Sequence, residues 1–239
     1  MNKNSNTYQI VYSAIMVVIV GTVLALIYTT LKPKQDLNRA NDTRKQILAS
    51  IHITPESDDV VESEFNKHIT AEYLVNEQGE KVSTEKGVAF NVKMKNNIKE
   101  QKRLLPVFEA KTDKGETKYI IPAYGAGLWG PIWGYIALND DGSTIYGTNF
   151  SHESETPGLG ARITEQEFQK RFEGKHVYVD GAFKSVEVLK KGSKSANGAE
   201  SIDAISGATI TSRGVSSMLS DCMQPYDAFF KKLQETTAK

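Results

Sequence analysis

The feature that most constrains the fold is an uncharged stretch of 22 residues near the start of the chain, from Ile10 to Leu31. It is rich in Ile, Val and Leu, and at about 1.5 Å per helical residue it crosses the roughly 30 Å hydrocarbon core of a membrane. A cleaved signal peptide has a shorter apolar region and a small-residue cleavage site, whereas this stretch continues to Lys32. The sequence therefore predicts an uncleaved membrane-spanning helix.

Composition excludes several other classes of protein. The chain has 239 residues with 29 Lys plus Arg and 29 Asp plus Glu, so no basic surplus is present to attract nucleic acid, and we expect no nucleic-acid binding. The single cysteine, Cys222, cannot form an internal disulfide. One cysteine is also too few for an iron–sulfur cluster or a cysteine-rich zinc site made by this chain alone.

Three segments follow from these patterns. We expect an N-terminal transmembrane anchor over residues 1–33, a helical linker over 34–59 and one folded domain over 60–239. The linker is polar, but its apolar residues from Leu37 to Leu48 recur at the spacing of one helical face. A folded domain of this length is large enough to bury its own core.

Short runs of β-branched and aromatic residues predict strands in the second half of the chain. A turn at 139–142 predicts a hairpin, and the Lys/Ser/Gly-rich segment 190–198 predicts a second hairpin loop. Residues 165–172 predict a short helix with Thr164 as its N-cap. Strands and helices do not alternate as βαβ units, so we expect an α+β fold with a mainly antiparallel sheet. The predicted strands are 119–121, 132–138, 144–147, 177–179 and 186–189.

A small, hydroxyl-rich segment, Ser206 to Thr211, leads into the last amphipathic stretch of the chain. Apolar residues at helical spacing predict a helix there, with Thr211 or Ser212 as its N-cap. A phosphate at this point would meet unpaired backbone N–H groups and the positive end of the helix dipole, and Gly207 and Ala208 would leave room for it. The alternative is a capped helix after a tight turn, with no ligand.

Three motifs carry a resemblance to a known family. Residues 203–209 read D-A-I-S-G-A-T and resemble the D-x-x-S/T-G-A-T signature of flavinylated proteins. Residues 152–160 read H-E-S-E-T-P-G-L-G and resemble a second loop of the same FMN-binding domain. With G-A-G-L-W at 125–129, nearly the whole chain is similar to the C subunit of the Na⁺-translocating NADH:quinone reductases. The equivalent subunit of the Rnf-type ferredoxin:NAD complex is the alternative within this class.

The resemblance implies that FMN is attached covalently to Thr209 through a phosphoester bond. An unactivated threonine hydroxyl is a poor nucleophile, so a separate catalyst is needed. In the family this catalyst is a Mg²⁺-dependent flavin transferase, which recognises the segment containing Asp203 and Ser206. Thr211 is the next candidate for the acceptor. No catalytic group beyond the flavin is implied.

The resemblance also implies how the second loop meets the flavin. Glu155 and Thr156 would hydrogen-bond its polar edge, while Gly158 and Leu159 would bring backbone and one apolar side chain against the ring. Trp129 would cover one ring face. For both Leu159 and Trp129, packing in the core is the alternative. The full predicted FMN-binding set is Thr209, Asp203, Ser206, Gly207, Ala208, Glu155, Thr156, Gly158, Leu159 and Trp129.

Two other ligand sites are considered and rejected. Residues 125–130 match G-x-G-x-x-G, but a dinucleotide fingerprint follows a strand and opens a helix, whereas Pro131 and a strand-like run follow here. His152 has only two carboxylates nearby in sequence, too few for a zinc site. We therefore expect neither an NAD site nor a metal.

The function implied by the resemblance is electron transfer within a membrane complex. This protein would relay electrons from NADH-derived centres toward ubiquinone, coupled to Na⁺ export, with partner subunits and the lipid bilayer as its surroundings. The family places the flavin domain on the periplasmic side of the bacterial inner membrane. The positive-inside rule favours the opposite orientation, and a membrane-tethered structural protein without redox function is the alternative from another class. The basic residues after the anchor are Lys32, Lys34, Arg39, Arg44 and Lys45.

Overall fold

The computed structural model describes residues 6 to 237 of the chain, so residues 1–5 of the predicted anchor lie outside the described range. Helix α1 extends over Asn6–Ala49 and includes Pro33. Every side chain from residue 10 to residue 31 is exposed, and the most apolar 18-residue window of α1 has a mean hydropathy of 2.7. Within the described residues, α1 is the one helix long and apolar enough to cross a membrane.

The chain divides into two compact units between Thr43 and Arg44. The second unit contains a six-stranded sheet in the order β2-β1-β3-β4-β5-β6, and every neighbouring pair is antiparallel. This arrangement confirms the predicted α+β class and its mainly antiparallel sheet. The strands are β1 (Ile69–Val75), β2 (Lys81–Ser83), β3 (Leu105–Lys111), β4 (Thr117–Ala126), β5 (Pro131–Asn139) and β6 (Ile145–His152).

The helices of this unit are short except for one. The 15-residue α5 packs on β4 and β9, which places its first turn at one end of the sheet. The helices are α2 (Val61–His68), α3 (Met94–Asn97), α4 (Gln166–Gln169), α5 (Thr209–Met223) and α6 (Asp227–Thr237). The remaining strands are β7 (Tyr178–Val179), β8 (Ala182–Phe183), β9 (Val186–Leu189) and β10 (Glu200–Asp203).

The sheet is buried on both faces because successive side chains of a strand point in opposite directions. On β4, Ile120 belongs to one apolar cluster and Ile121 to the other, and both are fully buried. Phe108 and Val107 on β3 divide in the same way. The larger cluster includes the apolar face of α5, so burial of that face holds the helix against the sheet.

The predicted hairpin at 139–142 is confirmed, since β5 and β6 pair on either side of this turn. The prediction of a second hairpin loop at 190–198 is wrong, because β9 and β10 pair in parallel and the segment is a crossover between them. The error has a physical cause. Strand β10 buries only Ile202, too weak a pattern to identify a strand or its direction from the sequence.

The helix predicted at 165–172 is shorter than expected. Helix α4 begins at Gln166 and ends at Gln169, and a 3-10 turn at Lys170–Phe172 completes the segment. Thr164 is not its N-cap; its hydroxyl donates to the carbonyl of Ala161 at 3.0 Å instead. This local side-chain bond competes with capping for the same hydroxyl.

Candidate functional site

Three segments that are distant in sequence meet at the start of α5. The first is the turn 127–130, where the Gly127 N–H donates to the Gly130 carbonyl at 2.8 Å and closes the β4–β5 hairpin. The second is the loop 154–160 that follows β6, and the third is the turn 204–208 between β10 and α5. The G-x-G-x-x-G match is thus a hairpin between antiparallel strands, whereas a dinucleotide fingerprint joins a strand to a helix.

The carboxylate of Glu155 joins these segments. It is buried, with 4% of the residue exposed. Oε1 accepts the backbone N–H of Trp129 at 2.8 Å, and Oε2 accepts the hydroxyl of Thr211 at 2.6 Å. The backbone N–H groups of Leu128 and Gly130 also hydrogen-bond this carboxylate. One buried side chain therefore connects the turn 127–130, the loop 154–160 and the first turn of α5.

The environment keeps this carboxylate ionised. Burial by itself raises the pKa of Glu155, but the hydrogen bonds from Thr211 and from the backbone N–H groups of residues 128–130 outweigh burial and lower the pKa below its ordinary value. At neutral pH the site thus contains a buried negative charge surrounded by donors. Hydrogen bonds to a charged group are about twice as strong as neutral ones.

Three glycines of these segments lie so close to the side chains of Ser154 and Glu155 that a larger residue would overlap them. A Cβ on Gly127 or Gly160 would overlap the Glu155 carboxylate, and one on Gly130 would overlap the hydroxyl of Ser154. The Ser154 hydroxyl donates to the carbonyl of Trp129 at 3.1 Å, which adds a second bond between the same two segments. In the turn 127–130, Gly127 therefore makes room for the Glu155 carboxylate and Gly130 for the Ser154 hydroxyl.

His152 also takes part in the loop. Its Nδ1 accepts the backbone N–H of Glu155 at 3.2 Å, so in the neutral ring the proton lies on Nε2. Within residues 6–237, no group of three or more His, Cys, Asp or Glu side chains is arranged to hold a metal ion. His152 thus helps to fix the backbone at Glu155.

Helix α5 begins three to four residues earlier than the predicted N-cap residues Thr211 and Ser212 indicate. Thr209 is its first residue, Ala208 is at the N-cap position, and no side chain caps the helix. The predictions of Thr211 or Ser212 as N-cap are wrong because both hydroxyls bond elsewhere. Thr211 donates to Glu155, and the Ser212 hydroxyl accepts the buried N–H of Ile205 at 3.2 Å. The first N–H groups of α5 consequently have no acceptor within the helix.

The segment from Asp203 to Thr209 presents its polar atoms to solvent. Asp203, Ser206, Gly207 and Thr209 are exposed, whereas Ala208 is 4% exposed and packs in the core. Gly207 has φ +78°, a left-handed conformation that favours glycine. A Cβ at this position would lie 2.9 Å from Cδ2 of Leu159, so the second predicted motif lies directly against the first.

Four large apolar side chains of these segments are exposed: Trp129 by 67%, Ile210 by 57%, Leu128 by 47% and Leu159 by 41%. This exposure excludes core packing for Trp129 and Leu159. Exposed apolar surface that is concentrated near one point is typical of a ligand or partner site. Thr156 and Gly158 are exposed in the same loop, and Gly158 has open space around it.

A groove continues from this region along α5. It encloses about 540 Å³ between the end of β4 and the helix, and Ile210 forms part of its wall. Close packing of helix on strand shapes its base, since a Cβ on Gly125 would lie 2.8 Å from Cβ of Met218. The groove offers apolar surface one residue beyond Thr209, and Arg103 and Arg213 also line it.

The comparison with protein families gives the class of this domain. The FMN-binding domain family matches residues 127–224, a range that contains the turn 127–130, the loop 154–160 and the segment 203–209. The second unit thus contains an FMN-binding domain over residues 127–224.

Solved structures and curated relatives give the family. The crystal structure of the C subunit of the Na⁺-translocating NADH-quinone reductase from Parabacteroides distasonis is 45% identical, with a TM-score of 0.77, and the match covers 84% of this chain and 96% of that one. The chain belongs to the C-subunit family of the Na⁺-translocating NADH-quinone reductases. This membership favours the quinone reductase over the Rnf-type alternative.

Curated relatives with the same name differ in how much of their length is matched. The protein from Pseudomonas aeruginosa is 27% identical over 99% of both chains. The one from Chlamydia trachomatis is 41% identical over 133 residues, which is 50% of this chain and 42% of that protein. The chain thus spans less than half the length of the chlamydial relative.

Sequence reasoning missed the roles of Thr211 and Ser212 and the internal position of the Glu155 carboxylate. A contact between Glu155 and a flavin remains a prediction, but both carboxylate oxygens already have protein donors. No local pattern signals this role, because the donors to the carboxylate come from Thr211 and from residues 128–130, which are distant from Glu155 in sequence.

Proposed function

We propose that this chain is the FMN-carrying electron-transfer subunit of a membrane-bound, Na⁺-exporting NADH:quinone oxidoreductase, with FMN attached to Thr209. One observation carries the proposal. Thr209 is exposed at the uncapped start of α5, and its hydroxyl has no hydrogen-bond partner within the described residues. Thr211, the other candidate acceptor, is 1% exposed and its hydroxyl is bonded to Glu155.

The residues around Thr209 fit a phosphate group. The backbone N–H groups at the start of α5 lack intrahelical acceptors, and the helix dipole favours a negative charge there. Gly207 keeps the approach free of a side chain. Exposure of Asp203 and Ser206 leaves this segment accessible to the flavin transferase that recognises it.

Attachment requires FAD and the separate transferase. Oγ1 of Thr209 forms a new bond to the phosphorus of the FMN half of FAD, the bond between the two phosphates breaks, and AMP leaves. The threonine hydroxyl proton passes to a base of the transferase, because no acidic side chain of this chain bonds the Thr209 hydroxyl within the described range. In this scheme the chain contributes an accessible and correctly oriented acceptor.

The exposed apolar residues suit the isoalloxazine ring. Leu159 and Trp129 offer apolar surface, Gly158 allows backbone to approach, and the Thr156 hydroxyl is free to donate or accept at the polar edge. A bound flavin supplies the one- and two-electron chemistry, and the protein orients it and adjusts its surroundings. An exposed position also leaves the ring within reach of the neighbouring redox partners.

We further propose that residues 1–33 anchor the protein in the bacterial inner membrane with the flavin domain on the periplasmic side. The basic residues after the apolar stretch favour the opposite orientation, so topology needs a direct test. A Ser193→Cys, Cys222→Ser chain places one exposed thiol in the domain. Labelling by a membrane-impermeant maleimide in spheroplasts supports the periplasmic orientation, and labelling only after lysis contradicts it.

The attachment itself is tested by co-expressing the full chain with the flavin transferase. Denatured, washed protein is then measured by gel fluorescence and intact mass. We expect the wild type to gain the mass of one FMN minus water and Thr209→Ala to gain nothing, while Thr209→Ser retains partial labelling because it keeps a hydroxyl. Thr236→Ala, at an exposed threonine of α6, is the matched control.

Two results would contradict this scheme. Covalent flavin that persists in Thr209→Ala would move the attachment to another residue. A wild-type chain with no covalent flavin would favour a tethered structural protein without redox function. Because Thr209 is exposed, the Ala variant should change the free energy of unfolding by no more than about 0.5 kcal/mol.

A further inference from the structure

The hydrogen bond from the Thr211 hydroxyl to the Glu155 carboxylate connects helix α5 to the rest of the site. Thr211 is two residues beyond Thr209, in the first turn of α5. Among the described residues, its hydroxyl makes the one side-chain hydrogen bond that joins this turn to the segments 127–130 and 154–160. In the other hydroxyl bond of the turn, the Ser212 hydroxyl accepts the backbone N–H of Ile205, which lies in the segment that precedes the helix.

Both ends of the contact are buried, so neither group can exchange its partner for water without an opening of the loops. Thr211 and Glu155 are 1% and 4% exposed. A buried carboxylate that loses a donor keeps its charge without full compensation, which is strongly unfavourable. The distance between Thr209 and the exposed loop residues Thr156 and Leu159 is therefore fixed through these two side chains.

We propose that Glu155 is a positioning residue for the flavin: its carboxylate, bonded to Thr211 and to the turn 127–130, sets the position of the attachment threonine relative to the loops that face the ring. This inference rests on the proposed attachment of FMN to Thr209. It differs from the direct contact expected from the motif, because here the carboxylate acts through the protein donors bonded to its two oxygens.

A glutamine at position 155 would disturb the site in a defined way. One side-chain oxygen would become an NH₂ group and would face either the Trp129 N–H or the Thr211 hydroxyl. If the NH₂ group faced Trp129, it would meet the backbone N–H, and two donors would oppose each other. If it faced Thr211, the hydroxyl would have to accept a hydrogen bond where it now donates one. The turn and the helix would separate, and the ring would change its orientation and environment without any loss of the acceptor oxygen.

The test uses the full chain, co-expressed with the transferase and purified in detergent. The variants are Glu155→Gln, Thr211→Val, their combination, and Glu155→Asp. Glu153→Gln, at the exposed neighbouring carboxylate, is the matched control. Intact mass gives the flavinylated fraction of the co-expressed chain. Time courses with chain expressed without the transferase, then mixed with purified transferase and FAD, give the initial rate of attachment. Spectroelectrochemistry with visible circular dichroism reports the potential and ring environment of the bound flavin.

We expect Glu155→Gln and Thr211→Val each to lower the initial transfer rate by roughly 10- to 100-fold, as misplacement of a reacting group does. Both should shift the flavin midpoint potential in the same direction. The double variant should show less than the sum of the two effects, because the residues act through one bond. Glu155→Asp should recover part of the wild-type values, and Glu153→Gln should match the wild type.

The inference is overturned if a flavinylated Glu155→Gln chain has the wild-type potential, dichroism and transfer rate, or if the two single effects are additive. Should Glu155→Gln fail to fold, Thr211→Val, which leaves the carboxylate with its backbone donors, decides the same question. A wild-type chain without covalent flavin is a separate outcome, which counts against the proposed attachment at Thr209.

Discussion

The segment 203–209 lies beside a buried network formed by Glu155, Thr211 and the turn 127–130, and the two regions are built in opposite ways. In the segment 203–209, four residues are exposed and the Thr209 hydroxyl has no partner among the described residues. In the network, a buried carboxylate accepts one hydroxyl and several backbone N–H groups. Under the proposed attachment, the difference separates chemistry from geometry: the exposed segment offers the acceptor oxygen, and the buried network positions it.

This contrast extends to how each region tolerates change. An exposed hydroxyl can be removed with little effect on folding, because water replaces its interactions. A buried charge–donor network fails when one member is removed, because the other members stay buried without partners. Changes at the exposed side chains of Asp203, Ser206 and Thr209 should therefore alter flavin chemistry alone, while changes in the network should alter both stability and flavin chemistry.

The largest effect on stability is expected for Gly160→Ala. The Cβ of the new alanine would overlap the Glu155 carboxylate and would lie 2.7 Å from the Thr211 hydroxyl oxygen. The Glu155 and Thr211 side chains must therefore move apart. We expect a loss of about 1–3 kcal/mol or more in the free energy of unfolding, as for other overpacked sites. Chemical denaturation of the full chain in detergent, followed by tryptophan fluorescence, measures it.

Gly158→Ala is the matched control for that substitution. Gly158 has φ +75° but open space around it, so alanine meets backbone strain of about 1 kcal/mol and no overlap. If both variants lost the same free energy of unfolding, the two glycines would be needed for the turn conformation alone. The Glu155 network would then be no more sensitive to substitution than the loop around it.

The next largest effect is expected for Ser212→Ala. This change leaves the buried N–H of Ile205 without its acceptor and should cost about 1–3 kcal/mol. Ser217→Ala, at an exposed serine of the same helix, should stay within about 0.5 kcal/mol of the wild type. A neutral Ser212→Ala would mean that the turn before α5 is held by its backbone bonds alone.

A smaller effect is expected in the pH dependence of stability. The folded pKa of Glu155 is lowered, because hydrogen bonds from Thr211 and residues 128–130 outweigh burial. The stabilisation from the ionised form is therefore present above the ordinary glutamate pKa of about 4.3, and it is lost as pH falls through the lower folded pKa. The difference in unfolding free energy between wild type and Glu155→Gln should be constant from about pH 8 to pH 5 and shrink below that.

Other carboxylates do not obscure this measurement. The pKa values of Glu200 and Asp227 are also lowered, since bonds from His176 and Lys175, and from Lys231 and Tyr178, outweigh burial. Both groups are present in wild type and variant, so their contributions cancel in the difference. A difference that stays constant to the lowest pH would show that Glu155 contributes no charge-dependent stability.

Local patterns predicted only part of this fold and site. The apolar stretch of α1 and the β5–β6 hairpin were predictable because each depends on neighbours in sequence. The start of α5 was not, because Thr211 and Ser212 bond to Glu155 and Ile205, and a propensity rule cannot foresee those partners. The parallel pairing of β10 was missed because that strand buries a single apolar residue.

The smallest effect on stability, and the sharpest test of the contrast, is expected for Thr156→Val. Thr156 is exposed, so the substitution should change the unfolding free energy by less than about 0.5 kcal/mol and leave FMN on Thr209. The lost hydroxyl can no longer hydrogen-bond the polar edge of the ring, so the flavin potential should shift without a change in attachment. Glu167→Gln, at an exposed carboxylate of α4, serves as the control for surface substitutions. A Thr156→Val chain with the wild-type potential would mean that the exposed loop contributes packing alone and that the ring is held by other residues.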